Sequence, residues 1–227
     1  MKLLGVFLVF SCGLLAQDRK PESLPVQRVE ITLERQIGAA WKPVDPGFVF
    51  ENGDRIRFRF RANFDGFLYV MDYGTSGNYS LLFPRQDTGK DNKIESGKDY
   101  QIPATEAWFR IAGPPGYDIV YWMVSPLALA NGALDLTVPP LPKPRRPAKI
   151  LLPRCDDSIF RARGECIDSS AGPRNILEDE EIPENLKNLP GLIPRELVIM
   201  RKEENSLISS PVPLTGPVIY QFRLAHK

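Results

Sequence analysis

Gly53-Asp54-Arg55-Ile56-Arg57-Phe58-Arg59-Phe60-Arg61-Ala62 alternates arginine with apolar residues without a break from Arg55 to Ala62. A period of two is the signature of a β-strand with one face in a core and one in solvent. Alternate residues on a strand lie about 6.5–7 Å apart, so Arg55, Arg57, Arg59 and Arg61 form a straight cationic track. Asp65-Gly66 carries a hairpin signal. Phe67 to Tyr73 is then apolar on both faces, which suits a central strand.

The same reading extends outward. Val29, Ile31 and Leu33 alternate with Glu30, Thr32 and Glu34, an earlier half-buried strand. Trp41, Pro43, Pro46 and Gly47 mark a turn-rich connection. Tyr79 to Phe83 is a short strand stopped by Pro84, and residues 85–98 read as an exposed loop. Tyr100 to Pro103 and Trp108 to Ile111 predict further short strands. Gly113-Pro114-Pro115-Gly116 forces a turn, and Ile119 to Val124 is again apolar on both faces. Leu197 to Met200 predicts a strand, and Val218, Tyr220, Phe222 and Leu224 predict a half-buried one at the end. Strands about every ten residues, with turn signals between them, predict an all-β, immunoglobulin-like antiparallel sandwich. A long irregular proline-rich and cysteine-containing excursion precedes the C-terminal strand.

Composition agrees. Of 227 residues, 43% are apolar, enough for a packed core, and 22 prolines disfavour long helices. The net charge of +1 gives no overall pull toward nucleic acid. No heptad or longer repeat is present. Four segments follow: a leader over 1–16, a sandwich domain over 17–138, a proline-rich linker and cysteine loop over 139–195, and C-terminal strands over 196–227 that return to the sandwich. The linker holds Pro139, Pro140, Pro142, Pro144 and Pro147 among basic residues, and Glu178 to Glu181 form an acidic exposed run.

The leader rests on Lys2, the apolar run Leu3–Leu15 and Ala16 before a polar stretch. It predicts export to the periplasm or the cell exterior. The run is too short to span a bilayer, so no transmembrane segment is expected. The alternative is a buried N-terminal strand or helix. A second form of export is a lipid anchor at Cys12, for which Phe10 fits the lipobox badly. Past the leader, Cys155 and Cys166 remain. An even count in an exported chain reads as a disulfide, and free or metal-binding thiols are the alternative.

Gly53 to Val70, with Leu81-Leu82-Phe83-Pro84, Tyr100-Gln101-Ile102-Pro103, Trp108-Phe109-Arg110 and Gly113-Pro114-Pro115-Gly116, resembles a bacterial family known only as domain of unknown function 4384. The resemblance runs over about residues 30–126. It implies a small β domain in exported or envelope-associated bacterial proteins. In other architectures this domain is an accessory to kinase-like or caspase-like domains, which this chain does not show. The family has no established catalytic residues, so the resemblance implies none here.

Residue patterns for catalysis are sparse. His226 is the sole histidine and lies beside the C-terminus, where chains are often frayed. A nucleophilic triad needs an imidazole held by a third group. Nucleophile-elbow, phosphate-loop and zinc-protease motifs are absent from the sequence. Asp156, Asp157, Glu165 and Asp168 around the cysteines read as a solvated acidic loop, with calcium as the alternative. Tyr69, Tyr73, Trp108, Tyr121 and Trp122 read as core, with a carbohydrate platform as the alternative.

The expected function is therefore a non-enzymatic binding or accessory module of the bacterial envelope, with no cofactor or metal. Its partner would be an envelope protein or an anionic polymer, held by Arg55, Arg57, Arg59 and Arg61. Those arginines could instead be a solvent face paired with acids such as Glu30 and Glu34. A structural envelope protein is the alternative function, and a carboxylate-dependent hydrolase a third. Changing Arg57 and Arg59 to Ser is expected to leave the fold intact and to weaken binding of an anionic ligand.

Overall fold

The computed structural model describes residues 26–129, 152–162, 164–176, 182, 186, 189, 192 and 197–227. The leader with Cys12 and Ala16, the prolines of the linker and the acidic run 178–181 lie outside the described residues. In chain order the described residues form β1 (Gln27–Ile37), β2 (Ala40–Val44), β3 (Val49–Phe50), β4 (Arg55–Ala62), β5 (Gly66–Tyr73) and β6 (Tyr79–Phe83). There follow β7 (Lys93–Ile94), β8 (Asp99–Ile102), β9 (Phe109–Arg110), β10 (Gly116–Ser125) and a short helix, α1 (Ser158–Ala162). The last strands are β11 (Gly172–Arg174), β12 (Val198–Arg201), β13 (Ser206–Ser210) and β14 (Val218–His226).

These strands make a sandwich of two 7-stranded sheets among the described residues. The first has the order β12-β13-β1-β4-β8, with β2 on β1 and β9 on β4. The second has the order β11-β14-β10-β5-β6, with β3 on β14 and β7 on β5. Pairing among these strands is antiparallel except for β3, which runs parallel to β14.

The apolar residues of β4 point inward with Val29, Ile31 and Leu33 of β1. Opposite them stand Leu68 and Val70 of β5, Val120, Trp122 and Val124 of β10, and Tyr220, Phe222 and Leu224 of β14. Trp122 sits at the centre, edge-on to Phe58 at 5.3 Å and to Phe60 at 5.8 Å, and stacked on Tyr220 at 6.3 Å. Such offset and edge-to-face pairs add to the area each ring buries.

Three differences from the sequence reading have physical causes. Asp65-Gly66 does not close a hairpin, because β4 and β5 belong to different sheets. Arg28 donates its N–H to Asn63 Oδ1 at 2.8 Å, and Ser96 donates to Asp65 Oδ1 at 2.7 Å. The turn is thereby anchored to its neighbours while the chain crosses between layers. The loop over 85–98 holds β7, whose Ile94 is buried in the core.

Third, β14 is buried on both faces rather than one. Its outward Ile219 lies with Tyr69, Met71, Tyr121 and Met123 under Leu186 and Leu189 from the excursion. A third apolar layer thus covers the second sheet, which is why β5 and β10 are also apolar on both faces. The outer face of the first sheet, with its arginines, has no comparable cover among the described residues.

The cysteines of the excursion are joined: Cys155 and Cys166 form a disulfide with Cα atoms 4.7 Å apart. The loop they close docks on Val49, Ala225 and Tyr117 at the edge of the second sheet.

Candidate functional site

The register of β1 on β4 sets Glu30 opposite Arg61, Thr32 opposite Arg59 and Glu34 opposite Arg57. On the other side of β4, Asp99 faces Arg61, Gln101 faces Arg59 and Arg110 faces Arg55. The four arginines share one face, but their neighbours make them unequal.

Glu34 is buried despite its place on the outer face. Arg57 Nε donates to its Oε2 at 2.5 Å, and Arg59 Nη1 lies 3.8 Å from its Oε1. The Trp41 ring packs on the Arg57 guanidinium at 4.5 Å, which helps shield the pair from water. Arg57 is therefore held in place, whereas the Arg59 side chain is 53% exposed. Arg55 lies 4.4 Å from the ring centre of Trp108, and Trp108 itself is 44% exposed.

Arg61 differs again. Its cross-strand acid, Glu30, accepts from Asn205 Nδ2 at 2.7 Å. Among the described residues the Arg61 side chain has neither an ion pair nor a hydrogen bond, and the same holds for Arg28. Both line a cleft of about 370 Å³ with Glu30, Ala62, Asn63, Ser96 and Gly97. Sequence periodicity reveals the row of arginines; it does not reveal Arg28 or this cleft, which depend on a turn crossing between sheets.

A second polar constellation lies between the sheets at the opposite end of β4. Here His226 is fully buried in β14, not frayed. The terminus is pinned by Lys227 N–H donating to Phe50 O at 3.0 Å, and by Asn52 N–H donating to Lys227 O at 3.3 Å. His226 Nε2 lies 3.3 Å from Asp118 Oδ1 and 3.3 Å from Thr75 Oγ1. Both contacts fall on one ring nitrogen, and Nδ1 has no partner among the described residues. A triad needs nucleophile and orienting acid on different nitrogens, so this is not one. Thr75 N–H also donates to Asp118 Oδ1 at 2.7 Å. A Cβ on Gly113, whose φ is 119°, would meet Thr75 Oγ1 at 2.6 Å, so only glycine fits beside this loop. Burial, and then the nearby Asp118 carboxylate, push the Asp72 carboxyl up to about 7.

The acidic residues near the disulfide serve the backbone. Asp168 accepts from Tyr117 Oη at 2.5 Å, from Arg154 N–H at 2.7 Å and from Ser170 N–H at 2.8 Å. Burial and this hydrogen bond both push the Tyr117 phenol above its ordinary range. Asp157 accepts from Ile159 and Phe160 N–H at the start of α1, and Asp156 bonds Ser169. Among the described residues, no group of three or more His, Cys, Asp or Glu is placed to hold a metal ion. No helix there is long and apolar enough to cross a membrane. Of the aromatic residues weighed as a carbohydrate platform, Trp122, Tyr121 and Tyr69 are buried, Tyr73 is half-buried, and Trp108 is on the surface.

The fold and its surface define an all-β sandwich that carries one arginine-rich face edged by tryptophan. Residues 49–127, from β3 to just beyond β10, match the model of the family described as Domain of unknown function (DUF4384). The match begins after β1 and β2, which lie outside it. No curated protein and no solved structure matches the chain.

Proposed function

We propose that this chain is an exported, non-enzymatic binding module of the bacterial envelope that holds an anionic ligand on the outer face of its first sheet. One observation carries the reading: Arg55, Arg59 and Arg61 lie on a single exposed face, and Arg61 has no acid partner among the described residues. Guanidinium groups bind carboxylates and phosphates through paired N–H donors, so such a row favours an acidic ligand. The disulfide supports export, because disulfides persist outside a reducing cytoplasm. The apolar leader supports the same compartment, as does the envelope association that the family resemblance implies. The Glu34 pairing with Arg57 and Arg59 favours a structural role for that part of the row, so binding falls to the remainder.

The test is a titration of the purified chain with acidic polymers (polygalacturonate, polyglutamate and polyphosphate), with neutral dextran beside them. Tryptophan fluorescence reports the environments of Trp41 and Trp108, which both pack on arginines of this face. At least one acidic polymer binds in a salt-sensitive manner and dextran does not. Binding is lost in the triple variant Arg55→Ser, Arg59→Ser, Arg61→Ser, whose circular dichroism stays unchanged. Undiminished binding by that variant removes the arginine face as the site.

A further inference from the structure

We infer that the ligand is an acidic polysaccharide, with one sugar carboxylate seated between Arg28 and Arg61 and the chain running along β4 toward Trp108. This rests on the anionic-ligand reading above and names its chemistry. Arg28 and Arg61 are exposed and line the same cleft, and their side chains have no ionic or hydrogen-bonded partner among the described residues. Two guanidinium groups facing one cleft form a seat for a carboxylate.

The rest of the cleft argues against a dense polyanion. Glu30 lines it too, and its carboxylate accepts only from Asn205 among the described residues. Asp99 stands across Arg61 on β8, and Glu34 lies two residues along β1 from Thr32. Acids interleaved with arginines repel a ligand charged at every step. They favour one with sparse negative charge and many hydroxyl donors, since a carboxylate accepts hydroxyl hydrogen bonds. The Asn63 and Ser96 side chains add further polar groups at the rim.

The far end of the track supplies an apolar surface. Three two-residue steps from Arg61 to Arg55 span about 20 Å. There Trp108, packed on Arg55, keeps 44% of its surface exposed. An exposed indole offers an apolar face to the C–H face of a sugar ring while its edge stays polar. Peptide ligands more commonly add to a free sheet edge, whereas this surface is the middle of a sheet, where β4 is paired on both sides.

The same full-length chain and polymers test the assignment. Polygalacturonate is expected to bind more tightly than polyglutamate or polyphosphate. Arg28→Ser with Arg61→Ser lowers its affinity by about tenfold or more, as loss of charge-assisted hydrogen bonds does. Trp108→Ala lowers affinity for polygalacturonate but not for polyphosphate. Unchanged polygalacturonate affinity in the Arg28, Arg61 variant overturns the cleft assignment. If the Arg55, Arg59, Arg61 variant still loses binding, the arginine face survives that result. Tighter binding of polyphosphate than of polygalacturonate overturns the sugar assignment alone. Binding of none of the three acidic polymers overturns both readings.

Discussion

Replacing Asp72 by Asn should flatten the pH dependence of stability between about pH 4 and pH 7. Asp72 shares the inward face of β5 with Leu68 and Val70 and lies by Asp118, which in turn contacts His226 and Thr75, a site that disfavours its charged form. Burial, with Asp118 second, raises its carboxyl from 3.8 to about 7. In this window the native state binds the Asp72 proton and the unfolded chain releases it. Stability therefore falls as pH rises, by about 1.4 kcal/mol per unit, and levels off above about 7. The full span of the shift corresponds to about 4 kcal/mol. An amide of the same shape carries no such proton. The stability of Asp72→Asn minus that of the parent should thus grow with pH, whatever its value at pH 4. Urea unfolding at four pH values from 4 to 8 measures this, provided the slope with urea is unchanged. A difference that stays constant across that range refutes the account of Asp72.

Contrary to the expectation from sequence that Arg57 can be lost without cost to the fold, Arg57→Ser should cost about 3 kcal/mol in urea unfolding, since it leaves the buried Glu34 carboxylate with only the more distant Arg59. Arg59→Ser should cost under about 1 kcal/mol, its side chain being 53% exposed. Equal costs would show that the two arginines are interchangeable. Tyr220→Phe should be neutral or stabilising by about 1 kcal/mol, because the Tyr220 hydroxyl is buried with no hydrogen-bond partner among the described residues. A thermal melt lowered by several degrees would show that the hydroxyl is satisfied in solution.

The strands legible in the sequence are those whose burial follows a simple period. β4 shows alternation, while β5 and β10 show continuous apolar runs, and each is where its pattern puts it. The strands that escape notice include β2, where Pro43 beside Trp41 reads as a turn, and β13, Ser206-Leu207-Ile208-Ser209-Ser210, whose buried flanks are serines rather than large apolar residues. Ser210 Oγ makes a 2.5 Å bond to Val212 O, which lets a polar side chain enter the interior. His226 misleads for a related reason. Position near a terminus suggests fraying, but β14 is held between β10 and β11, and Phe50 bonds the last residue. Glu34 breaks the alternation of β1, because the β2 hairpin brings Trp41 over its Arg57 partner. No period in the sequence encodes that contact.

The arginine row shows how far a motif can carry function. By period, Arg55, Arg57, Arg59 and Arg61 are equivalent. In the fold their roles are assigned largely by residues outside the family segment of 49–127. Glu34 and Trp41 fix Arg57, whereas Asn205 engages Glu30, the acid across from Arg61. Arg28, the second guanidinium of the cleft, also comes from β1. The family segment supplies the track and Trp108, and the flanking strands decide which of its charges remain open. A chain with the same row and different flanks would present different free arginines. The row alone therefore does not specify a ligand, and β1 with Asn205 belongs to the proposed binding surface as much as β4 does.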